Sequence, residues 1–212
     1  LLAVSTATGA LRWECDADSS DASFVAVTPD GSMALYSTSL GRVHAVAVAS
    51  GERRWDYDVG GGAQPVACLL SADGACALVQ SSDMRLHCLG TQTGSALWVA
   101  GSASLQLRAL AWDAQRGKVY CRASAAELVG LDARTGEPTW LCGEALGTAL
   151  VSAGGGALLL ATPRGELQAL NAADGRRLWA RDALEPDRRD GEQRPRLSGA
   201  ALVQKKWYAV VA

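Results

Sequence analysis

Residues 130–140 read Gly-Leu-Asp-Ala-Arg-Thr-Gly-Glu-Pro-Thr-Trp, and looser versions of this stretch recur along the 212-residue chain. Each version ends in a tryptophan that stands four residues after a glycine. The tryptophans are Trp13, Trp55, Trp98, Trp140 and Trp179, and their glycines are Gly9, Gly51, Gly94, Gly136 and Gly175. Successive tryptophans are separated by 42, 43, 42 and 39 residues. The chain is therefore a repeat with a period of about 42 residues.

A second glycine series runs in phase with the first. Its members stand 23 or 24 residues before a tryptophan, at Gly31, Gly74, Gly117 and Gly156. Glycine adopts positive φ without a Cβ clash, and the Asp that precedes two of these glycines bonds readily to the local backbone. Both glycine series therefore predict turns.

Apolar runs of strand length fill the space between the turns. One period contains four of them, at residues 23–27, 33–36, 43–48 and 54–59. They are too short and too often interrupted by glycine to be helices, and their nearly continuous apolar character is typical of sheets covered on both faces. Four short strands per period predict an all-β fold, a β-propeller of four-stranded antiparallel blades.

The repeat assigns the whole chain to one propeller region. We expect a partial blade at 1–20, blades at 21–62, 63–104, 105–146 and 147–184, a charged loop at 181–196 and a partial blade at 197–212. Because both ends fall within blades, the region is expected to be a partial ring of a six- to eight-bladed propeller, with a closed five-bladed ring as the alternative. Mixed charges and proline in the loop predict a solvated connection that proteases cut first.

Charge and cysteine content exclude several classes of function. Twenty Lys and Arg residues balance 22 Asp and Glu residues, which does not favour nucleic-acid binding. No apolar stretch approaches the roughly 20 residues that span a bilayer. Six single cysteines predict buried free thiols rather than a disulfide framework or a zinc site, which needs close-spaced ligand pairs. Cysteine usage and the excess of Arg over Lys weakly favour a cytoplasmic compartment.

Two further features invite a functional interpretation. His44 and His87 occupy equivalent positions in adjacent repeats, and packing on a strand face is favoured over a ligand or catalytic role because other repeats carry Leu, Val or Gln there. The dipeptide Trp112-Asp113 is the signature of WD40 propellers, but it occurs once and out of phase. We therefore expect Trp112 to be a core residue and Asp113 to open a turn.

The stretch at 130–140 resembles the tryptophan-docking motif of quinoprotein-like (PQQ-repeat) propellers, Ala-x-Asp-x-x-Thr-Gly-x-x-x-Trp. The Thr-Gly and Trp positions agree best, whereas the Asp position reads Ser5, Ala47, Gly90, Asp132 and Asn171. In that family the tryptophan packs against the turn of a neighbouring blade. The resemblance thus implies that the five tryptophans and their five glycines are structural docking residues, and we assign no catalytic, cofactor-binding or metal-binding residue.

The resemblance implies a non-catalytic scaffold that binds proteins, a ligand or other domains of the same polypeptide. Within the family, the chain is similar to the C-terminal propeller of acyl-activating enzymes (β-alanine-activating, acyl-CoA synthetase-like) and to the outer-membrane assembly lipoprotein propeller. We expect it to be part of a larger protein, such as an acyl-activating enzyme. Two alternatives are a WD40-like interaction hub and a fragment of a PQQ-dependent dehydrogenase. Only the dehydrogenase hypothesis requires PQQ and calcium as cofactors.

Overall fold

A computed structural model describes most of the chain, and wherever it does so the backbone forms β-strands and turns, without a helix. The described residues are 1–16, 22–102, 105–124, 127–143, 148–151, 156–161, 166–182, 197–203 and 206–211. They divide into two compact units, Leu1–Arg108 with Arg134–Gly136, and Ala109–Ala133 with Glu137–Ala212. Of the predicted charged loop, only Arg181 and Asp182 belong to the described residues.

The first unit contains one strand pair and two complete sheets. The pair consists of β1 (Leu2–Val4) and β2 (Leu11–Glu14). The first sheet has the order β3 (Val25–Val27), β4 (Met33–Ser37), β5 (Arg42–Ala47), β6 (Arg53–Asp58). The second has the order β7 (Pro65–Leu70), β8 (Cys76–Ser81), β9 (Leu86–Gly90), β10 (Ala96–Ala100). All neighbouring strands run antiparallel.

The second unit repeats this organisation. One sheet has the order β11 (Arg108–Asp113), β12 (Lys118–Arg122), β13 (Leu128–Asp132), β14 (Pro138–Cys142). The next has the order β15 (Thr148–Val151), β16 (Ala157–Ala161), β17 (Glu166–Asn171), β18 (Arg177–Asp182), and β19 (Leu197–Val203) pairs with β20 (Lys206–Val211). Four-stranded antiparallel blades joined in sequence confirm the predicted all-β propeller class.

The second glycine series closes the turn between the first two strands of a blade. Gly31 has φ +71°, and the carboxylate of Asp30 accepts hydrogen bonds from the Thr28 hydroxyl at 2.6 Å and the Ser32 backbone N–H at 3.1 Å. These hydrogen bonds, the one from Thr28 foremost, hold the pKa of Asp30 below its usual value. The next blade repeats the arrangement, with the Ser71 hydroxyl donating to Asp73 at 2.6 Å. A local hydrogen-bond pattern thus sets the start of each blade.

Each unit buries apolar strand faces between successive sheets. In the first unit one cluster joins β4 and β5 to β8 and β9, and it contains Met33, Leu35, Val43, Ala45, Ala77, Val79 and Leu89. In the second unit a cluster joins the two complete sheets through Tyr120, Leu128, Leu158, Leu160 and Leu170. Because each sheet is covered on a face by its neighbour, the central strands read as continuous apolar runs.

Candidate functional site

Four tryptophans lie over the turn glycine of the following repeat. The pairs are Trp13 with Gly51, Trp55 with Gly94, Trp98 with Gly136 and Trp140 with Gly175. These glycines have φ between +70° and +75°. A Cβ placed on Gly51 would lie 2.7 Å from carbons of the Trp13 ring, and one placed on Gly94 would lie 2.5 Å from the Trp55 ring. We call each such glycine turn a tryptophan seat, because only a residue without a side chain leaves room for the indole.

The indole nitrogen also binds the backbone of its seat. Trp13 Nε1 donates to the carbonyl of Val48 at 2.7 Å, and Trp55 Nε1 donates to the carbonyl of Thr91 at 2.7 Å. In the second unit, Trp140 Nε1 donates to the carbonyl of Ala172 at 3.3 Å. Each acceptor stands three residues before the seat glycine. The ring is therefore held both through its face and through its edge, which fixes two successive repeats against each other.

A small residue opposite each tryptophan completes the arrangement. In the strand register, Ala45 is directly opposite Trp55, Cys88 is opposite Trp98, and Gly130 is opposite Trp140. At Gly130 there is no room for a side chain, since a Cβ there would lie 2.5 Å from Trp140 Nε1. This position is the leading Ala of the motif, and its requirement is steric: the indole crosses the neighbouring strand on its way to the seat.

Trp179 and Gly9 stand apart from these four pairs. Trp179 has 39% of its surface exposed, compared with 9% for Trp55 and 8% for Trp98. Gly9 has φ +70°, like the seat glycines, but no heavy atom of the described residues lies within 4 Å of its Cβ position. The described structure therefore brings together eight of the ten predicted docking residues, in pairs that cross from one repeat to the next.

Asp113 belongs to a buried cluster that the repeat pattern alone does not reveal. Its carboxylate is 1% exposed, and Arg116 Nη1 lies 3.0 Å from Oδ2. The Arg116 backbone N–H donates to Oδ1 at 3.1 Å, and the Tyr120 hydroxyl donates to Oδ2 at 3.3 Å. Burial, reinforced by the Asp113 charge, raises the pKa of Tyr120. Asp113 thus opens the turn after β11, as predicted from the sequence.

The two histidines lie on buried strand faces. His87 is 3% exposed; its Nδ1 is 3.0 Å from the Tyr57 hydroxyl and its Nε2 is 3.3 Å from the Ser81 hydroxyl. The His44 ring packs against Tyr36 with ring centres 5.1 Å apart. Burial lowers the pKa of His87, with Arg85 acting in the same direction and Asp83 against it. A neutral, enclosed imidazole held by two hydroxyls suits blade packing better than proton transfer to a substrate.

The cysteines form no chelating group in the described residues, and burial suppresses the reactivity of three of them. All six are free thiols. Burial raises the pKa of Cys68 and of Cys88 to about 12 and also raises that of Cys121. These three thiols therefore stay protonated and unreactive at neutral pH. No group of three or more His, Cys, Asp and Glu side chains is placed to hold a metal ion within the parts of the chain that the structure describes.

An open cleft of about 440 Å³ lies at one edge of the first unit. It is lined by Ser39, Leu40, Gly41, Asp58, Gly60, Gly61, Gly62 and Ala63. Asp58 is the one ionisable side chain among these residues, and it accepts the Gly60 N–H at 2.8 Å. The glycine run forms a turn, with positive φ at Gly60, Gly61 and Gly62, and the cleft lacks the acid and base pair that a hydrolytic site requires.

No helix among the described residues has the length and hydropathy needed to cross a membrane. The sequence matches the family model described as "Outer membrane protein assembly factor BamB" over residues 1–106 and 39–212. No curated protein matches the chain in sequence.

Two solved structures have similar folds, and this chain superposes on a different fraction of each. BamB from Moraxella catarrhalis superposes with a TM-score of 0.55 at 18% identity, covering 84% of this chain and 69% of that one. A chain of the mitotic checkpoint complex superposes with a TM-score of 0.64 at 17% identity, covering 85% of this chain and 57% of that one. Similarity at these identities demonstrates a shared fold and leaves function to be argued from the residues.

Proposed function

Since this chain belongs to the PQQ-repeat family described as outer membrane protein assembly factor BamB, we propose that it is a non-catalytic scaffold that binds other proteins. The observation that carries the proposal is the series of tryptophan seats. The most distinctive side chains of the sequence join one repeat to the next. Their chemistry is used for rigidity, and a rigid propeller presents its surface strands and loops to partners.

The state of the titratable and nucleophilic groups also supports a binding role. Asp113 is neutralised by Arg116 inside a turn, and His87 is enclosed by two hydroxyls. The thiols of Cys68, Cys88 and Cys121 have raised pKa values. A catalytic site needs such groups to converge on a cavity that substrate can enter, and the open cleft of the first unit contains none of them.

The residues do not fit a PQQ-dependent dehydrogenase. Such a site needs a disulfide between adjacent cysteines to hold the quinone, and no two cysteines are neighbours in this sequence. Calcium would need several carboxylate and carbonyl oxygens, and the described residues contain no group of three acidic or metal-binding side chains. We propose that the chain functions without PQQ or calcium. Titration with both should give no quinone absorbance change, and saturable binding would refute the proposal.

The alternatives for the parent protein differ in what surrounds the chain. A WD40-like hub is less well supported, because the single Trp112-Asp113 dipeptide uses its Asp113 carboxylate in an ion pair with Arg116 inside a turn. An acyl-activating parent and a cytoplasmic compartment remain predictions. An adenylate-forming domain encoded beside this region would support the acyl-activating parent, and a lipoprotein signal would support an envelope protein.

Site-specific photo-crosslinking tests the scaffold proposal. A photoreactive amino acid is placed in the full-length protein at an exposed position in each of three repeats, Leu40, Leu97 and Leu141, which are 63%, 55% and 59% exposed. A buried position, Leu35, is the matched control, at 0% exposure. We expect a discrete adduct with one protein from an exposed position, and its reconstitution from purified components. Failure of every exposed position to give an adduct that can be reconstituted would overturn the proposal.

A further inference from the structure

The two outer strands of the first unit differ sharply in charge. Both β6 and β10 stand last in their sheets, so each has one edge that is not paired with another strand of its sheet. Strand β6 reads Arg-Arg-Trp-Asp-Tyr-Asp, whereas β10 reads Ala-Leu-Trp-Val-Ala. When the repeats are aligned on tryptophan, Leu97 stands in the position of Arg54 and Val99 in the position of Asp56. Equivalent strands of two successive repeats, β6 and β10, therefore differ in carrying a charged edge and an uncharged one.

The charges of β6 are arranged as edge protection. Arg42 lies 3.8 Å from Asp56 and 4.0 Å from Asp58, and Arg54 lies 3.4 Å from Glu52. A charged rim of this kind discourages another strand from pairing with the edge, because pairing would strip water from the charges. Strand β10 has no such rim: the sequence contains no Asp, Glu, Lys or Arg between Arg85 and Arg108.

Strand β10 exposes two apolar side chains and, at Val99, backbone groups that no strand of its sheet pairs with. Leu97 is 55% exposed and Val99 is 48% exposed, whereas Trp98 between them is 8% exposed. The Thr91 N–H donates to the carbonyl of Ala75, the residue before β8. Backbone groups alternate in direction along a strand, so those of His87, four residues earlier, also point toward β8. Val99 is the partner of His87 in the register. The N–H and C=O of Val99 therefore point away from β9, toward the open edge.

A glycine limits the length of this edge. Gly101 has φ +99°, and a Cβ at this position would lie 3.0 Å from the carbonyl oxygen of Met84. The chain turns inward there and ends β10 after Ala100. Strand β10 is thus five residues, or about 17 Å, long, and its register against β9 shifts between Ala96 and Trp98.

We propose that β10 is a strand-addition site for an extended, uncharged peptide segment of a partner protein, with apolar side chains at alternate positions. The proposal rests on the scaffold function and names the class of partner. The added strand hydrogen-bonds to the outward groups of Val99 and continues the apolar row of Leu97 and Val99. Charge selects the segment, since an Asp or Lys placed on this edge loses hydration and finds no counter-charge.

The dimensions of the edge favour a peptide over a second copy of the chain. Strands in a sheet are about 5 Å apart, so a contact about 17 Å long between two folded bodies covers far less than the roughly 800 Å² per partner of a stable interface. A peptide strand has no such requirement, because its affinity comes from consecutive main-chain hydrogen bonds and alternate side-chain contacts.

A fluorescein-labelled, capped seven-residue peptide of alternating Thr and Val is the probe, measured by fluorescence anisotropy with the full chain. Its twin, N-methylated at every residue, has no backbone N–H to donate on either edge and should not bind. The double variant L97R/V99D copies the β6 chemistry onto β10 and should weaken binding at least about tenfold. The variant L97T/V99T keeps the edge uncharged and should bind within about threefold of the original chain. Near-ultraviolet circular dichroism of the tryptophans verifies that each variant is folded.

The reverse exchange in β6 provides a matched control. R53A/R54L/D56V/D58S removes the four charges of β6 and places the Leu and Val of β10 at the corresponding positions, and we expect a second peptide-binding site. Equal binding to the original chain and to folded L97R/V99D would overturn the inference, as would equal binding of the N-methylated twin. A dimer that L97R/V99D dissociates would also overturn it, because the edge would then belong to a second copy. Photo-crosslinks from Leu40 or Leu141 alone would preserve the scaffold proposal while removing this site, whereas adducts from no position would remove both.

Discussion

The indole of Trp55 covers Gly94 of the following repeat and donates from Nε1 to the carbonyl of Thr91 at 2.7 Å. Gly94 has φ +70°, and a Cβ there would lie 2.5 Å from the Trp55 ring. One glycine therefore serves two purposes: it allows the left-handed turn, and it makes space for a ring from another sheet. The two purposes can be separated experimentally, because other turn glycines of the chain serve only the first.

Substitution of Gly94 by alanine should destabilise the fold more than the same change at Gly31. Both glycines have φ near +70°, but no heavy atom of the described residues lies within 4 Å of a Cβ at Gly31. Gly31→Ala should cost about 1–2 kcal/mol for the left-handed backbone. Gly94→Ala should cost a further 1–3 kcal/mol or so for displacing the indole. Urea unfolding of the two variants measures the difference, and equal losses would show that Gly94 is only a turn residue.

Truncation of a docked tryptophan should be far more costly than truncation of the exposed one. Trp98 is 8% exposed and lies over Gly136, whereas Trp179 is 39% exposed. Trp98→Ala should lower the free energy of unfolding by about 3–5 kcal/mol. Trp179→Ala should cost markedly less because it removes less buried surface. Thermal and urea unfolding followed by far-ultraviolet circular dichroism provide the test, and comparable losses from both variants would contradict a docking role for Trp98.

Acidification should weaken the fold through His87. Burial keeps the pKa of His87 below its usual 6.5, so as the pH falls below 6.5 the unfolded chain binds a proton before the folded chain does. The contribution to stability is complete above pH 6.5 and is lost as the pH falls through the lowered pKa. The free energy of unfolding should therefore decrease from pH 7 to pH 5.

The variant His87→Gln is the control for this pH dependence. It keeps a polar side chain near Tyr57 and Ser81 but removes the titrating group, so its stability should change less over the same interval. Hydrogen bonds lower the pKa of Asp30 and Asp73 below 3.8, which places their effect at lower pH in both proteins. Identical slopes for the original chain and the variant between pH 7 and pH 5 would rule out a role for His87.

Alkylation should distinguish the buried thiols from the partly exposed ones. Cys88 and Cys121 are buried, and burial raises the pKa of Cys88 to about 12 and also raises that of Cys121, so iodoacetamide at pH 8 should leave both unmodified in the folded protein. Cys15 and Cys142 are partly exposed and report that the reagent is active. All six cysteines should react in urea. Peptide mapping by mass spectrometry reads the result, and native Cys88 that reacts as fast as Cys15 would show that the sheet opens readily.

The period, the strands and the turns were predictable because they depend on local chemistry. The Asp30-Gly31 turn requires only a positive φ and hydrogen bonds to residues at most two positions from Asp30. The four-strand blade agrees with the prediction, although β3 begins at Val25, two residues later than the apolar run. Asp113 also opens a turn as predicted, since its carboxylate accepts the Arg116 backbone N–H three residues later.

The sequence pattern left open which glycine each tryptophan covers, and the stacking of sheets decides it. Trp55 follows Gly51 by four residues, yet its ring lies on Gly94 of the next repeat. Likewise, the amino-acid sequence shows that Leu97 and Val99 are apolar, but only the sheet order shows that they lie on an open edge. Backbone conformation follows from side chains a few residues apart. Contacts between sheets and the exposure of an edge depend on residues tens of positions apart, and only the packed chain brings those together.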